Sequence, residues 1–463
     1  MKKLLLLLPI VLSLCGCNNA PKETKACLNM NVYHDDTTDY FPYVFNLDEY
    51  VIIDGKANEN IAEMGILFSA NISHSTSVIF EKTKYVPKSY TDYDSFYKTL
   101  NLDNFEYCDV GINSETDPLD QTFINFAHKK INVNGASYDI GFITLEDSGG
   151  RGAYWSSNFD LGADDESYYS LTGEHPDWTN KKNHKGFDVT ANRCIPCVED
   201  YISRNLDKKS QQILYIFGHS RGGAICNVLA SKLIDKGYQT VAYGYASPAT
   251  TTNEDATSSK YQNIHNYYCS DDIVAGLLNP KLGFTRYGQS ESFKLIDYKQ
   301  QFEAINKITL PDKDNSIVTT IFSKLANSRE AVYQINDDYL VLYSEPMGKS
   351  EATSLITRYT SSFTDDYESL GNYIKVETIE RDDGQVQVKI TACAGFYLAL
   401  IGKCLAKNDV YLTKILVDIS KFINYLQVVF NVTETSFSDL ANLDMAFIVY
   451  AHYYYSYLAF FTK

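Results

Sequence analysis

The chain has 463 residues, is 44% apolar and carries a formal net charge of −17. The length allows two or three average domains or one large domain with insertions, and the apolar share excludes a disordered composition. The acidic residues are scattered and no basic stripe accompanies them, which argues against nucleic acid as a partner.

Lys2 and Lys3 precede an apolar run from Leu4 to Leu14. This is a charged region followed by a hydrophobic one too short to span a bilayer, the pattern of a secretory signal. Leu14-Cys15-Gly16-Cys17 then resembles a bacterial lipobox. Cys17 fits the modified position better than Cys15, because bulky Leu14 would stand next to the cut. A diacylglyceryl group on the Cys17 sulfur brings two acyl chains, enough to anchor the protein stably. Residues 1–17 are therefore expected as a lipoprotein signal and residues 18–26 as a polar tether. The expected location is the extracellular face of the bacterial membrane. Eight cysteines follow Cys17, and an exported chain could pair some of them, but the sequence does not say which. Cys194-Ile-Pro-Cys197 lies well inside a helical stretch, where a thioredoxin-like site does not belong, and no second CxxC completes a zinc site.

Residues 27–130 read as mixed helix and loop. Helical apolar spacing covers 60–72, and Ser/Asp capping chemistry opens a helix over 89–102. Lys129–Val133, an Asn134-Gly135 turn and Tyr138–Thr144 predict a hairpin. From 184 the rhythm turns to helix (188–206, with Pro196 inside), strand (212–217), helix (222–236, closed by Gly237) and strands at 240–246 and 264–269. Apolar strands alternating with helices predict an α/β fold with a mostly parallel central sheet flanked by helices. Residues 290–390 break the rhythm and read as an insertion, with a hairpin turning at Asp383-Gly384. The aromatic stretch 445–461 holds a histidine and many tyrosines and is short for a membrane span, so it is expected to be buried core.

Gly218-His219-Ser220-Arg221-Gly222-Gly223 stands between the strand at 212–217 and the following helix. Glycines on both sides of Ser220 permit a tight strand-to-helix turn that would lift the hydroxyl to the carboxyl edge of the sheet, with a helix N-terminus aimed at the same point. A serine hydroxyl needs a base to take its proton and a carboxylate to orient that base. Only His265 and His452 follow Ser220. His265 lies inside a strand and precedes the acidic candidates; His452 follows them all and is the base by elimination. Asp271 and Asp272 both follow a strand end, and spacing alone does not choose between them. His184 and His219 read as structural.

The segments "GHSRGGA", "YASPA" and "NYYCSDDIVAGL" together resemble the fungal-type, or class three, lipase family and its bacterial relatives, members of the α/β-hydrolase superfamily. "HKGF" (184–187), "WSSNFDLG" (155–162) and "HYYYSYL" from His452 extend the resemblance, which covers most of the chain from about residue 60 apart from the insertion. It implies an α/β-hydrolase fold over 27–463, with the insertion lying between the acid and base. It implies Ser220 as nucleophile, Asp272 rather than Asp271 as acid and His452 as base. The oxyanion would be held by the backbone N–H of Arg221 and by Ser148, or Asp147 if the register shifts by one. Here "ITLEDSGGRG" replaces the family's Arg-Gly-Thr or Arg-Gly-Ser, and Glu146 and Asp147 would oppose an oxyanion unless they point away. Residues 151–159 match the position of a lid.

The leading expectation is a membrane-anchored hydrolase of carboxylic esters, lipase-like or esterase-like, acting on an ester or lipid as a monomer, with no metal or organic cofactor. Alternative readings are a surface lipoprotein that keeps the fold as a binding module, and an acyltransferase that uses the same residues.

Overall fold

The computed structural model describes residues 22–29, 40–73, 76–81, 90–110, 122–148, 158, 183–276, 278, 284–306, 309–310, 339–343, 347–361, 374–381, 383–393 and 450–462. The signal segment 1–17, residues 18–21, and all of the expected lid except Asn158 lie outside them.

The first strands form a small antiparallel sheet in the order β2-β1-β3, from β1 (Lys22–Asn29), β2 (Phe41–Phe45) and β3 (Ser77–Phe80). This corrects two expectations. Residues 22–26 are not tether, because Lys22–Ala26 pairs with Phe41–Phe45. The stretch after 27 is also not only helix and loop. These strands are short, and their inward residues (Ala26, Leu28, Tyr43, Phe45, Val78, Phe80) come from three separate segments, so no single window shows the pattern.

Helix α1 (Glu59–Ile72) starts at Asn58, whose side chain accepts from the Ile61 N–H at 3.1 Å. Almost every residue from Ile61 on is buried, as expected of a helix packed on several sides. Gly65 is where it meets the main sheet: a Cβ there would fall 2.1 Å from the Tyr245 hydroxyl. That hydroxyl donates to the Ala62 carbonyl at 2.6 Å. The Phe68 ring stacks against Phe217 at 4.9 Å and Phe142 at 5.4 Å. Helix α2 (Tyr90–Thr99) follows, as expected from its capping residues.

The main sheet has seven strands in the order β10-β9-β8-β7-β6-β5-β4. These are β4 (Asp103–Val110), β5 (Thr122–Val133), β6 (Ala136–Leu145), β7 (Gln211–His219), β8 (Thr240–Tyr245), β9 (Ile264–Cys269) and β10 (Gln289–Phe293). β4, β5 and β6 are antiparallel, and β6 to β10 run parallel. The β5–β6 hairpin turns at Asn134 (φ 53°) and Gly135 (φ 82°), as the Asn-Gly pair predicts. Helices α3 (Lys185–Asn205) and α4 (Arg221–Asp235) cover one face. Helix α1, the small sheet and the C-terminal helix cover the other. This mostly parallel sheet flanked by helices is the α/β-hydrolase arrangement. Helix α4 ends at Gly237 (φ 91°), whose N–H bonds the Ile234 carbonyl while Tyr238 N–H bonds that of Leu233.

β9 leads into the one-turn helix α5 (Ile273–Gly276), and β10 is followed by helix α6 (Lys299–Asn306). β10 pairs in parallel with β9, so the expected insertion does not begin at 290. Gln289–Glu291 is exposed along this edge strand, which is why its polar sequence looks foreign to a sheet. Further on lie β11 (Tyr339–Tyr343), helix α7 (Lys349–Ser361), β12 (Ile374–Glu380) and β13 (Val386–Cys393). These three strands form their own antiparallel sheet, with the β12–β13 connection passing Gly384 (φ 79°) as predicted. Helix α8 (Tyr454–Phe461) is wholly buried, which agrees with core rather than membrane for that part of the aromatic stretch; 445–449 lie outside the described residues. Among the described residues no helix is long and apolar enough to cross a membrane.

Candidate active site

Ser220 sits between β7 and α4 with φ 53° and ψ −122°, a conformation that non-glycine residues rarely adopt. Such strain costs on the order of 1–3 kcal/mol and persists only when neighbours hold it. Here the Ser220 N–H donates to the Tyr245 carbonyl at 2.8 Å, and the Ser220 carbonyl accepts from Ala224 N–H at 3.0 Å. The glycines permit the close approach. A Cβ on Gly218 would lie 2.2 Å from the Gly222 carbonyl, and one on Gly222 would lie 2.5 Å from that of Leu145.

The Ser220 hydroxyl donates to Nε2 of His452 at 2.9 Å, and Nδ1–H of His452 donates to Oδ2 of Asp272 at 2.8 Å. Three segments far apart in the chain thus meet at the carboxyl edge of the parallel strands, where α/β sheets carry their sites. Asp272 is fully buried and its other oxygen accepts from Val274 N–H at 2.9 Å, which fixes the carboxylate. Asp271 faces elsewhere: its carboxylate accepts from the Leu295 N–H at 3.0 Å and ties β9 to the segment after β10. Burial disfavours charge on His452, but the Asp272 carboxylate outweighs it with help from Asp147, and the net pKa is raised above 6.5.

His219 is structural, as its sequence context suggests, but the residue it holds belongs to the site. Its Nε2–H donates to the backbone carbonyl of His452 at 2.7 Å, and its ring stacks on Tyr454 at 4.0 Å. Burial, and then the nearby His452, holds its pKa well below the ordinary value, so it stays a neutral donor. Nothing in the sequence around His219 signals this contact, because its partner is 233 residues away. His265 lies within β9, where burial holds it neutral to about pH 4. His184 stands at the start of α3, stacked on Phe187 at 4.0 Å.

Arg221 is buried at the first position of α4, so its N–H points out of a helix end with no acidic residue in its first turn. Ser148 follows the end of β6, and its hydroxyl oxygen accepts from Asn158 Nδ2 at 2.8 Å, which leaves its own proton to donate. Asp147 turns to Ser73 and Tyr454, whose hydroxyls donate to its Oδ2 at 3.0 and 2.9 Å. Glu146 is fully buried. Among the described residues no group of three or more acidic, histidine or cysteine side chains is arranged to hold a metal.

Residues 157–281 match the family model for class 3 lipase. That segment contains Ser220 and Asp272 and ends well before His452. No curated protein is similar to the chain. Among solved structures, a mono- and diacylglycerol lipase from Aspergillus oryzae is similar at 13% identity and TM-score 0.31, over 51% of this chain and 79% of that one. The Rhizomucor miehei triacylglyceride lipase is similar at 18% identity and TM-score 0.31, over 50% and 79%. A lipase from Rhizopus microsporus var. chinensis is similar at 15% and 0.27, over 50% and 72%.

The cysteines also depart from any CxxC chemistry. Cys197 is joined to Cys108 on β4, whereas Cys194 is buried and its thiol is pushed up to about 12.

Proposed function

We propose that the protein is a class 3 lipase-type serine hydrolase of carboxylic esters, working through Ser220, His452 and Asp272. The observation that carries this reading is the continuous chain from the Ser220 hydroxyl through both nitrogens of His452 to the buried Asp272 carboxylate, at 2.9 and 2.8 Å.

His452 Nε2 takes the hydroxyl proton as Ser220 Oγ attacks the ester carbonyl carbon. The carbonyl oxygen becomes an oxyanion, which the Arg221 N–H and the Ser148 loop stabilise. The intermediate collapses to the acyl-serine, and the leaving alkoxide takes the proton from His452. Water then gives a proton to His452 and attacks the acyl carbon; release of the acid returns the proton to Ser220. Asp272 holds the ring through Nδ1 and faces the positive charge that develops on it. The two hydroxyls that Ser73 and Tyr454 donate to Asp147 support this placement of the oxyanion, since they hold that carboxylate to themselves.

Anchoring at Cys17 belongs to the same proposal and rests on the Lys2-Lys3, Leu4–Leu14 and Leu14-Cys15-Gly16-Cys17 pattern. Since β1 begins at Lys22, the link from an acylated Cys17 would reach at most about 18 Å, which would hold the domain against the membrane surface. Labelling with a palmitate analogue, lost in Cys17→Ser, tests it.

The test of the chemistry is hydrolysis of p-nitrophenyl esters of short and long acyl chains by wild type and Ser220→Ala, with and without detergent. Loss of about four or more orders of magnitude in the variant supports the proposal. Equal rates in both proteins would sink it, and the chain-length profile separates esterase from lipase.

A further inference from the structure

Asp147 is an acidic side chain one residue before Ser148, 8% exposed, in a position where a carboxylate would be expected to work against an oxyanion. Its surroundings give it another role. The Ser73 hydroxyl, just after the end of α1, donates to Asp147 Oδ2 at 3.0 Å. The Tyr454 hydroxyl donates to the same oxygen at 2.9 Å. Tyr454 lies two residues after His452, and its ring stacks at 4.0 Å on His219, which in turn holds the His452 carbonyl at 2.7 Å. The loop after β6, the end of α1, the elbow and the C-terminal segment are thus joined around one carboxylate.

We propose that Asp147 is a positioning residue that ties the Ser148 loop to the His452 segment through Tyr454 and adds its charge to that of Asp272 in holding the imidazolium. This deepens the proposed hydrolase mechanism and rests on it for its catalytic meaning, whereas the contacts do not.

The charged and titratable groups around His452 come from each element packed there. Asp272 lies on the loop after β9 and Asp147 on the loop after β6. His219 ends β7 and is kept neutral by burial and by the neighbouring His452. Tyr454 opens α8 and keeps its proton, since burial and then Asp147 raise it well above its ordinary value. Arg286 lies beyond Asp272 and interacts with that carboxylate. Only Asp272 and Asp147 add to the affinity of His452 for its proton, and burial opposes both. Removing the Asp147 charge therefore lowers the pKa of His452.

Asp147→Asn separates charge from geometry, because an amide oxygen can still accept from Ser73 and Tyr454. Tyr454→Phe does the reverse, keeping the charge and cutting the link. The His452 ring resonance, assigned against His452→Gln in the full-length protein, is followed by NMR across pH and needs no substrate. The expected result is a lower midpoint in Asp147→Asn, restoration in Asp147→Glu, and a midpoint at or above wild type in Tyr454→Phe. Phosphonylation of Ser220 by a fluorophosphonate reads the geometry, with Tyr454→Phe about 5-fold slower at the plateau pH, the equivalent of one net hydrogen bond. A folded Asp147→Asn that titrates like wild type overturns the charge role. Should that variant not fold, Tyr454→Phe labelled at the wild-type rate overturns the positioning role. A wild-type protein that the probe does not label at Ser220 counts instead against the hydrolase reading, and the NMR titration still decides the charge role of Asp147.

Discussion

Nε2–H of His219 donates to the backbone carbonyl of His452 at 2.7 Å, so the residue beside Ser220 grips the main chain of the imidazole that accepts from the Ser220 hydroxyl. One dipeptide, His219-Ser220, thus contacts His452 from two sides. His219→Phe keeps a ring against Tyr454 and loses the donor. We expect kcat to fall about 5- to 10-fold with KM little changed, because ring placement rather than ester binding suffers. Steady-state kinetics on the preferred p-nitrophenyl ester checks it.

The proton balance of His452 makes a second prediction. A base must be neutral to act, and the folded pKa of His452 is raised above 6.5 by Asp272 and Asp147 against the effect of burial. The acid limb of kcat/KM is therefore expected above 6.5. The linkage has the same sign: a raised folded pKa gives stability that is fully present below 6.5 and lost as pH rises through the raised value. In Asp272→Asn the limb should move to lower pH, with the plateau falling about 10⁴-fold as the ring loses its orienting carboxylate. A pH–rate profile of both proteins would decide it, and an unmoved limb would count against His452 as the titrating base.

Arg286 interacts with the same Asp272 carboxylate. Its Nε and Nη2 donate to the Ser247 carbonyl at 3.0 and 2.6 Å, and Nη2 also donates to the Ala275 carbonyl at 2.7 Å. The guanidinium rests 4.4 Å from the Tyr268 ring centre. This fork joins the loop after β8 to the turn that carries Asp272. Arg286→Lys keeps the charge but not the planar fork, so stability should drop by about 1–3 kcal/mol as buried carbonyls lose donors. Activity should fall with it. Chemical denaturation together with kcat measures both, and full stability in the lysine variant would show that the fork contributes little.

The Cys108–Cys197 bond joins β4, an edge strand, to α3 across 89 residues. Closing a loop of that size stabilises by about 4.6 kcal/mol on the chain-entropy view. Reduction or Cys197→Ser should lower the melting temperature by many degrees. Iodoacetamide should leave Cys194 unmodified in the native protein, since burial keeps its thiol protonated to about pH 12. A melting curve indifferent to reductant would contradict the first expectation, and labelled Cys194 the second.

What could be read along the chain was what local physics decides. The strand–turn–helix around Ser220 follows from apolar residues of strand length and from glycines where any Cβ would strike a carbonyl. The Asn134-Gly135 hairpin and the Gly237 helix end follow from positive φ in the same way. β10 and the small N-terminal sheet were not legible. Their pairing partners lie in other segments, and an edge strand such as β10 has little need of apolar residues on its exposed side.

The sequence by itself determined which residue types could serve, and chain order left His452 as the base the fold could use. Spacing left Asp271 and Asp272 open and the family resemblance pointed to Asp272; the tertiary structure decides it by bringing Asp272 and not Asp271 to His452, since both follow β9 and the difference lies in which way each carboxylate turns. The same holds for Asp147, which could have opposed the site and instead braces it through Ser73 and Tyr454. It holds for the partner of Cys197 as well. Each of these contacts is short in space and long in sequence. Backbone preferences act over a few residues, whereas a hydrogen bond or a disulfide between distant segments exists only once the sheet has brought their ends together.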